Sequence, residues 1–410
     1  MKENILKGYA KLIAGVGINV QKGQRVEVRC EPESLSFAAL VVEECYKLGA
    51  EKVEVIFESQ LLTKLHITYR SEEVLGTVET FEEERLKYRL EKLPAAIYLL
   101  SEDPDGLAGV DQEKYARAGQ SRYKVIKPYR DAMDNKYAWC IAAVPGVDWA
   151  KKVFPDTDEK EAVEKLWQAI LYTSRADGED PVEAWREHNR QLHARCDYLN
   201  SLGIKTLRYT SSNGTRLDVG MIPEARFAAG SESTLSGQVF NPNIPSEEVF
   251  ITPDKTKADG IVYSSKPLSY RGEIIDNFSV RFENGRAVEV HAEKNEDLLK
   301  QLVEMDKGAS MLGECALVPY DSPISNSGIL FYNTLFDENA SCHLAFGEGF
   351  TNCIDNYENR TLEECRALGV NESMVHEDFM IGTADLCIVA LTQDGREVQI
   401  FENGNWAFEV

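Results

Sequence analysis

An asparagine followed by a glycine between strand-like runs is a strong hairpin signal, because both residues accept the positive φ that a tight two-residue turn requires. The chain has three such dipeptides, Asn213-Gly214, Asn284-Gly285 and Asn403-Gly404, and all lie beyond residue 200. The second half is therefore expected to be rich in antiparallel β-structure. The first half carries different signals. An amphipathic pattern at Ile5, Leu6, Tyr9, Leu12 and Ile13 precedes the alternating Arg25-Val26-Glu27-Val28-Arg29. A helix over residues 36–48 ends at Gly49, and residues 53–57 read as a second strand, which completes a βαβ unit. Buried-strand runs at 96–100 and 139–144 follow, so a parallel sheet is expected.

Two long helices come next, the first entered by Asp156 and Glu159 in capping-box spacing, the second by Asp180 as N-cap with Pro181 and Glu183 behind it. Gly203 closes the second. The expected fold class is an α/β N-terminal domain with a parallel sheet over residues 1–200, connecting helices included, followed by a β-rich α+β domain over 201–410. A length of 410 residues exceeds what one hydrophobic core usually supports, in keeping with two domains.

A formal charge of −23 argues against nucleic acid and against anionic membrane faces as partners. No glycine-rich phosphate loop follows the N-terminal strands, which counts against a nucleotide site. Charged residues from Lys2 to Arg25 interrupt any apolar leader, and no run approaches the ~20 apolar residues that span a bilayer. Nine cysteines without a Cys-x-x-Cys suit reduced, buried thiols, so a cytoplasmic protein is expected.

The chemistry concentrates in the second half. His376 and Asp378, within Val375-His376-Glu377-Asp378-Phe379-Met380, share one face of an extended strand by their spacing. Alone, such a pair often arises by chance. It is accompanied by Ser341-Cys342-His343-Leu344-Ala345-Phe346-Gly347, by Gly313-Glu314-Cys315-Ala316-Leu317-Val318-Pro319 and by Ile244-Pro245-Ser246-Glu247-Glu248-Val249-Phe250. Each residue also has a plain reading: His343 as a hydrogen-bonded core imidazole, Glu314 as an exposed charge at a strand start. The apolar Ala316-Leu317-Val318 point instead to a buried strand whose carboxylate needs compensation. His66, His188, His193 and His291 lack useful partner spacing and read as surface or packing residues. Strand alternation turns Cys315 and Cys342 away from their neighbours Glu314 and His343. No Gly-x-Ser-x-Gly elbow is present for a serine nucleophile.

In this order the four segments resemble the thermophilic metallo-aminopeptidase family, the group of aminopeptidases T and S. Val20-Gln21-Lys22-Gly23-Gln24, residues 149–155, Ser211-Ser212-Asn213-Gly214-Thr215 and residues 331–340 are similar to it as well, so the likeness covers essentially the whole chain. The resemblance implies a catalytic C-terminal domain with two divalent metal ions, which remove N-terminal residues from short peptides, and a homodimer with an enclosed active site. It implies that Glu314 bridges the ions, while Glu248, His343, His376 and Asp378 each reach one. Strand alternation sends Glu247 and Glu248 to opposite faces, and Glu248 is taken as the ligand. Glu247 is then a nearby general base or, preferably, a solvent-facing carboxylate. A donor set without thiolate suits zinc, cobalt, manganese or magnesium and does not choose among them.

Phe350 departs from the family, which carries a tyrosine seven residues after the His343 equivalent. Phenylalanine neither donates a hydrogen bond nor coordinates. Tyr332 and Tyr357 are the candidates to replace the lost hydroxyl. The departure keeps two alternatives open: a non-catalytic metal- or peptide-binding homologue, and a metal-dependent amidase on non-peptide substrates.

Overall fold

The computed structural model describes residues 3–410, which fall into two compact units, 3–188 with Ser231–Ser246, and Asn189–Gly230 with Glu247–Val410. In the first unit β1 (Arg25–Cys30), β2 (Lys52–Phe57), β3 (Ala95–Leu100) and β4 (Trp139–Ala143) pair in parallel in the order β4-β3-β1-β2. Each lies within a residue of the run read from the sequence. Val26, Val28 and Cys30 turn one face of β1 inward, against the helix Leu35–Lys47 with its buried Phe37, Ala38, Val41 and Cys45. A fifth strand, Asn243–Ile244, adds to β4 in parallel. Two residues carry no readable periodicity, so nothing in the sequence announces it.

The helix Glu159–Thr173 starts after Asp158, which accepts the Glu161 amide at 2.9 Å, and not after Asp156. Residues 154–157 are taken up by a turn in which Thr157 Oγ1 donates to Phe154 O at 2.9 Å. The helix Pro181–Ser201 begins as expected, with Asp180 Oδ1 accepting the Glu183 amide at 3.2 Å. Residue 200 falls inside this helix, which divides between the two units at His188. His188 is a packing residue, its ring edge-on to Trp185 and its Nε2 2.7 Å from Ser246 O.

The second unit contains a nine-stranded antiparallel sheet. Its strands Glu273–Glu283 and Arg286–Lys294 turn at Asn284-Gly285, with φ of 50° and 84°, and Glu397–Glu402 and Asn405–Trp406 turn at Asn403-Gly404, with φ of 50° and 72°. Both are the two-residue turns that the dipeptides predict. Ile204–Thr210 and Arg216–Met221 close through a longer loop, where Asn213 Oδ1 accepts the Thr215 amide at 3.0 Å.

A five-stranded antiparallel sheet stacks on it, built from β5 (Val249–Ile251), β6 (Leu312–Leu317), β7 (His343–Gly347) and β8 (His376–Met380), with Ala228–Ala229 beside β5. The inner face is aromatic. Phe346 and Phe379 stack at 4.6 Å, Phe282 lies 6.2 Å from Phe346, and Phe278 lies 5.9 Å from Phe379. With alternate residues committed to this core, Glu314, His343, His376 and Asp378 necessarily project from the opposite face. Among the described residues no helix is long and apolar enough to cross a membrane.

The Asn284-Gly285 turn tests the hairpin argument. A Cβ on Gly285 would lie 2.0 Å from Lys255 O at a φ of 84°. Gly285→Ala is expected to lower the unfolding free energy by about 1–3 kcal/mol. The shift is measured as a lower urea midpoint, and an unchanged midpoint rejects the account.

Candidate metal centre

Five residues from separate segments meet on the outer face of the smaller sheet. Glu248 stands just before β5, Glu314 on β6, His343 on β7, and His376 and Asp378 on β8. His343 Nε2 lies 3.2 Å from Glu248 Oε2, and His376 Nε2 lies 3.1 Å from Glu314 Oε2 and 3.4 Å from Asp378 Oδ1. They form two groups, Glu248–Glu314–His343 and Glu314–His376–Asp378, each with ligand atoms within 4.8 Å of one another. Glu314 is common to both.

Cross-strand register explains how so many donors fit. Glu314, Ala345 and Asp378 form one row across β6, β7 and β8, and Ala316 stands opposite His343. Gly347, at a φ of 96°, stands opposite His376, and a Cβ there would meet Val375 O at 2.0 Å. Small residues beside the polar ones leave the space above the sheet to the imidazoles and carboxylates.

The histidine tautomers follow from their outer contacts. His343 Nδ1 donates to Glu338 O at 2.9 Å and to Ser341 O at 3.2 Å, and His376 Nδ1 donates to Glu348 O at 2.8 Å. Both rings therefore aim Nε2 at the carboxylates, an arrangement characteristic of metal-ligating histidines. Burial opposes a charge on His343, yet Glu248, Asp378 and Glu314 outweigh it and raise the imidazole to about 9. Burial pushes the Glu314 carboxyl up to about 7, against the pull of His376. The two histidines overcome the burial of Asp378 and bring it down to about 2. Carboxylates packed this closely in a buried site demand positive charge.

The residues present fit divalent ions. Asp378 Oδ1 is buried and has no well-formed hydrogen bond, its polar neighbour being His376 Nε2 at 3.4 Å, so it has capacity left for a cation. The donors are oxygen and nitrogen only: Cys315 and Cys342 lie on the core face, with burial pushing the Cys342 thiol up to about 12 and Cys315 higher still. That combination suits hard to borderline cations.

One participant escaped sequence reasoning. Glu338 is buried, lies beside Asp378, and has its carboxyl held well above the usual range by burial and by the neighbouring carboxylates. It sits in the short 3-10 turn Glu338–Ala340, where strand alternation gives no guidance. Glu247 is buried too, which corrects the expectation that it faces solvent. Its amide donates to Asn339 Oδ1 at 2.7 Å, and its carboxylate acts on the half-buried Arg195. Glu377 alternates to the core face as its position requires, and burial there pushes it up to about 8. Phe350 does reach the site: its ring lies 4.8 Å from the His376 ring and 5.4 Å from Phe250. Tyr357 packs against the hydrophobic core, and Tyr332 occupies a loop at a φ of 54°.

Residues 2–406 match the family described as thermophilic metalloprotease (M29). The chain is 42% identical over 404 residues to aminopeptidase AmpS of Bacillus subtilis, covering 98% of each. It is 38% identical over 406 residues to aminopeptidase T of Thermus aquaticus, again covering 98% of each. The solved structure of wild-type AmpT from Thermus thermophilus superposes with a TM-score of 0.88 at 35% identity, across 99% of this chain and 100% of that one. The chain belongs to this thermophilic metalloprotease family, a family of metallo-aminopeptidases.

Ala345 offers a test of the space above the sheet. Ala345→Leu adds an apolar side chain to the Glu314–Asp378 row at an overpacking cost of about 1–3 kcal/mol. It is expected to abolish retention of divalent ions after dialysis, measured by elemental analysis, while far-ultraviolet circular dichroism stays unchanged. Full retention contradicts the row geometry.

Proposed function

We propose that the chain removes N-terminal residues from short peptides with the help of two divalent ions, held by Glu248, Glu314, His343, His376 and Asp378, with Glu314 shared. The observation that carries this reading is the pair of ligand groups with one carboxylate in common. Relatives named aminopeptidases support a peptide substrate attacked at its amino end. Zinc, cobalt, manganese and magnesium all suit the donor set. Such ions, when bound, acidify water and polarise the scissile carbonyl.

The chain's own residues supply the rest. Nδ1–H contacts to backbone carbonyls hold His343 and His376 in orientation, so little rearrangement is needed on binding. Glu338, whose burial favours the protonated carboxyl, is the group suited to hold and return a proton next to Asp378. Phe350 covers the His376 ring, the most solvent-accessible of the five at 27% of its side chain, and offers an apolar wall without a donor. The family likeness supports a homodimer. A cytoplasmic setting agrees with the absence of any disulfide among the nine cysteines of the described residues.

Leucyl-dipeptide cleavage that is lost on chelation and restored by adding back one of the candidate ions is expected, on free-amine substrates and not on N-blocked ones. Cleavage of both points to the broader amidase, and cleavage of neither to binding alone. Phe350→Tyr is expected to raise turnover, since one transition-state donor is worth on the order of 100-fold to 1,000-fold. Unchanged or reduced kcat means the hydroxyl is replaced or unnecessary.

A further inference from the structure

Asn339 is fully buried and its side chain reaches three directions from the centre of the turn Glu338–Ala340. Its Oδ1 accepts the amide of Glu247, the residue before Glu248, at 2.7 Å. Its Nδ2 donates to Leu335 O at 2.9 Å and to Glu338 Oε1 at 3.3 Å. The carbonyl of Glu338, one peptide away, is the acceptor for His343 Nδ1–H. One amide side chain thus ties together the segments that carry Glu248, Glu338 and His343, while Asn339 is itself in neither ligand group.

The other group is held by different means. His376 Nδ1 donates to Glu348 O, the Glu348 amide donates to Val375 O at 2.7 Å, and Asp306 Oδ1 accepts Ser373 Oγ–H at 2.9 Å just upstream of β8. None of these contacts passes through Asn339.

We propose that Asn339 is a positioning residue chiefly for the Glu248–Glu314–His343 group, so that its hydrogen bonds set the affinity of one of the two cation positions far more than that of the other, to which it is linked only through the Glu338 carboxyl beside Asp378. This rests on the two-ion reading above. The physical basis is that outer contacts orient ligands, and their loss typically costs 10–100-fold in metal affinity. A buried amide with its polar atoms satisfied also has no apolar equivalent, because truncation leaves the Glu247 amide and the Leu335 carbonyl unpaired.

The test is titration of the metal-free, full-length protein with cobalt(II), followed by visible absorption and calorimetry. The wild type is expected to take up two equivalents. Asn339→Ala is expected to weaken one equivalent by about 10–100-fold and to leave the other within about threefold. Ser322→Ala removes the bond from Ser322 Oγ to Asn339 O, 3.1 Å long, in the same turn. It is expected to lower Tm without separating the equivalents, which distinguishes positioning from general loosening. Asn339→Asp, nearly isosteric, keeps an acceptor for the Glu247 amide and removes both Nδ2 donations, to Leu335 O and to Glu338 Oε1. It serves where the alanine variant does not fold, and its loss is expected in the same single equivalent. Equal weakening of both equivalents, or of neither, overturns the proposal. Fewer than two equivalents in the wild type overturns the two-ion reading itself, and this inference with it.

Discussion

Buried carboxylates next to one another are the constraint on which the second unit turns. Glu248, Glu314, Glu338 and Asp378 are all buried around one sheet face, where an uncompensated charge costs several kcal/mol. Two imidazoles provide partial compensation. A fold that retains such a cluster requires cations or protons there, and Asp378 Oδ1, with only the long 3.4 Å contact to His376 Nε2, leaves capacity for one.

That core and the site are two sides of the same strands. Phe346 and Phe379 lie on one face while His343, Ala345, His376 and Asp378 lie on the other, one or three residues away along the same strands. A rigid, well-packed underside holds the donors to a narrow geometry, as catalytic metal sites need. Small residues complete the arrangement. Ala316, Ala345 and Gly347 stand across from His343, Asp378 and His376, and larger side chains there would occupy the volume in which the ligand atoms converge.

Phe350 changes one wall of this site and leaves the ligands intact. Its ring lies against the His376 ring and brings no hydroxyl to that side of the cluster. Glu338 adds a carboxyl close to Asp378 whose burial favours its protonated form.

Much of this was legible in the sequence, for local reasons. Strand runs in the first unit, the Asn284-Gly285 and Asn403-Gly404 turns and the Asp180 cap are set by neighbours within a few residues, and the faces of His376 and Asp378 by the two-residue period of a strand. The likeness to the aminopeptidases T and S supplied the grouping of the five distant residues, which periodicity has no means to supply. Tertiary structure alone decided the rest: the return of Asn243–Ile244 to β4, the burial of Glu247, and the entry of Glu338 and Asn339 into the site. These depend on contacts between residues far apart in the chain, on two-residue strands and on 3-10 turns, where no repeating pattern records which way a side chain points.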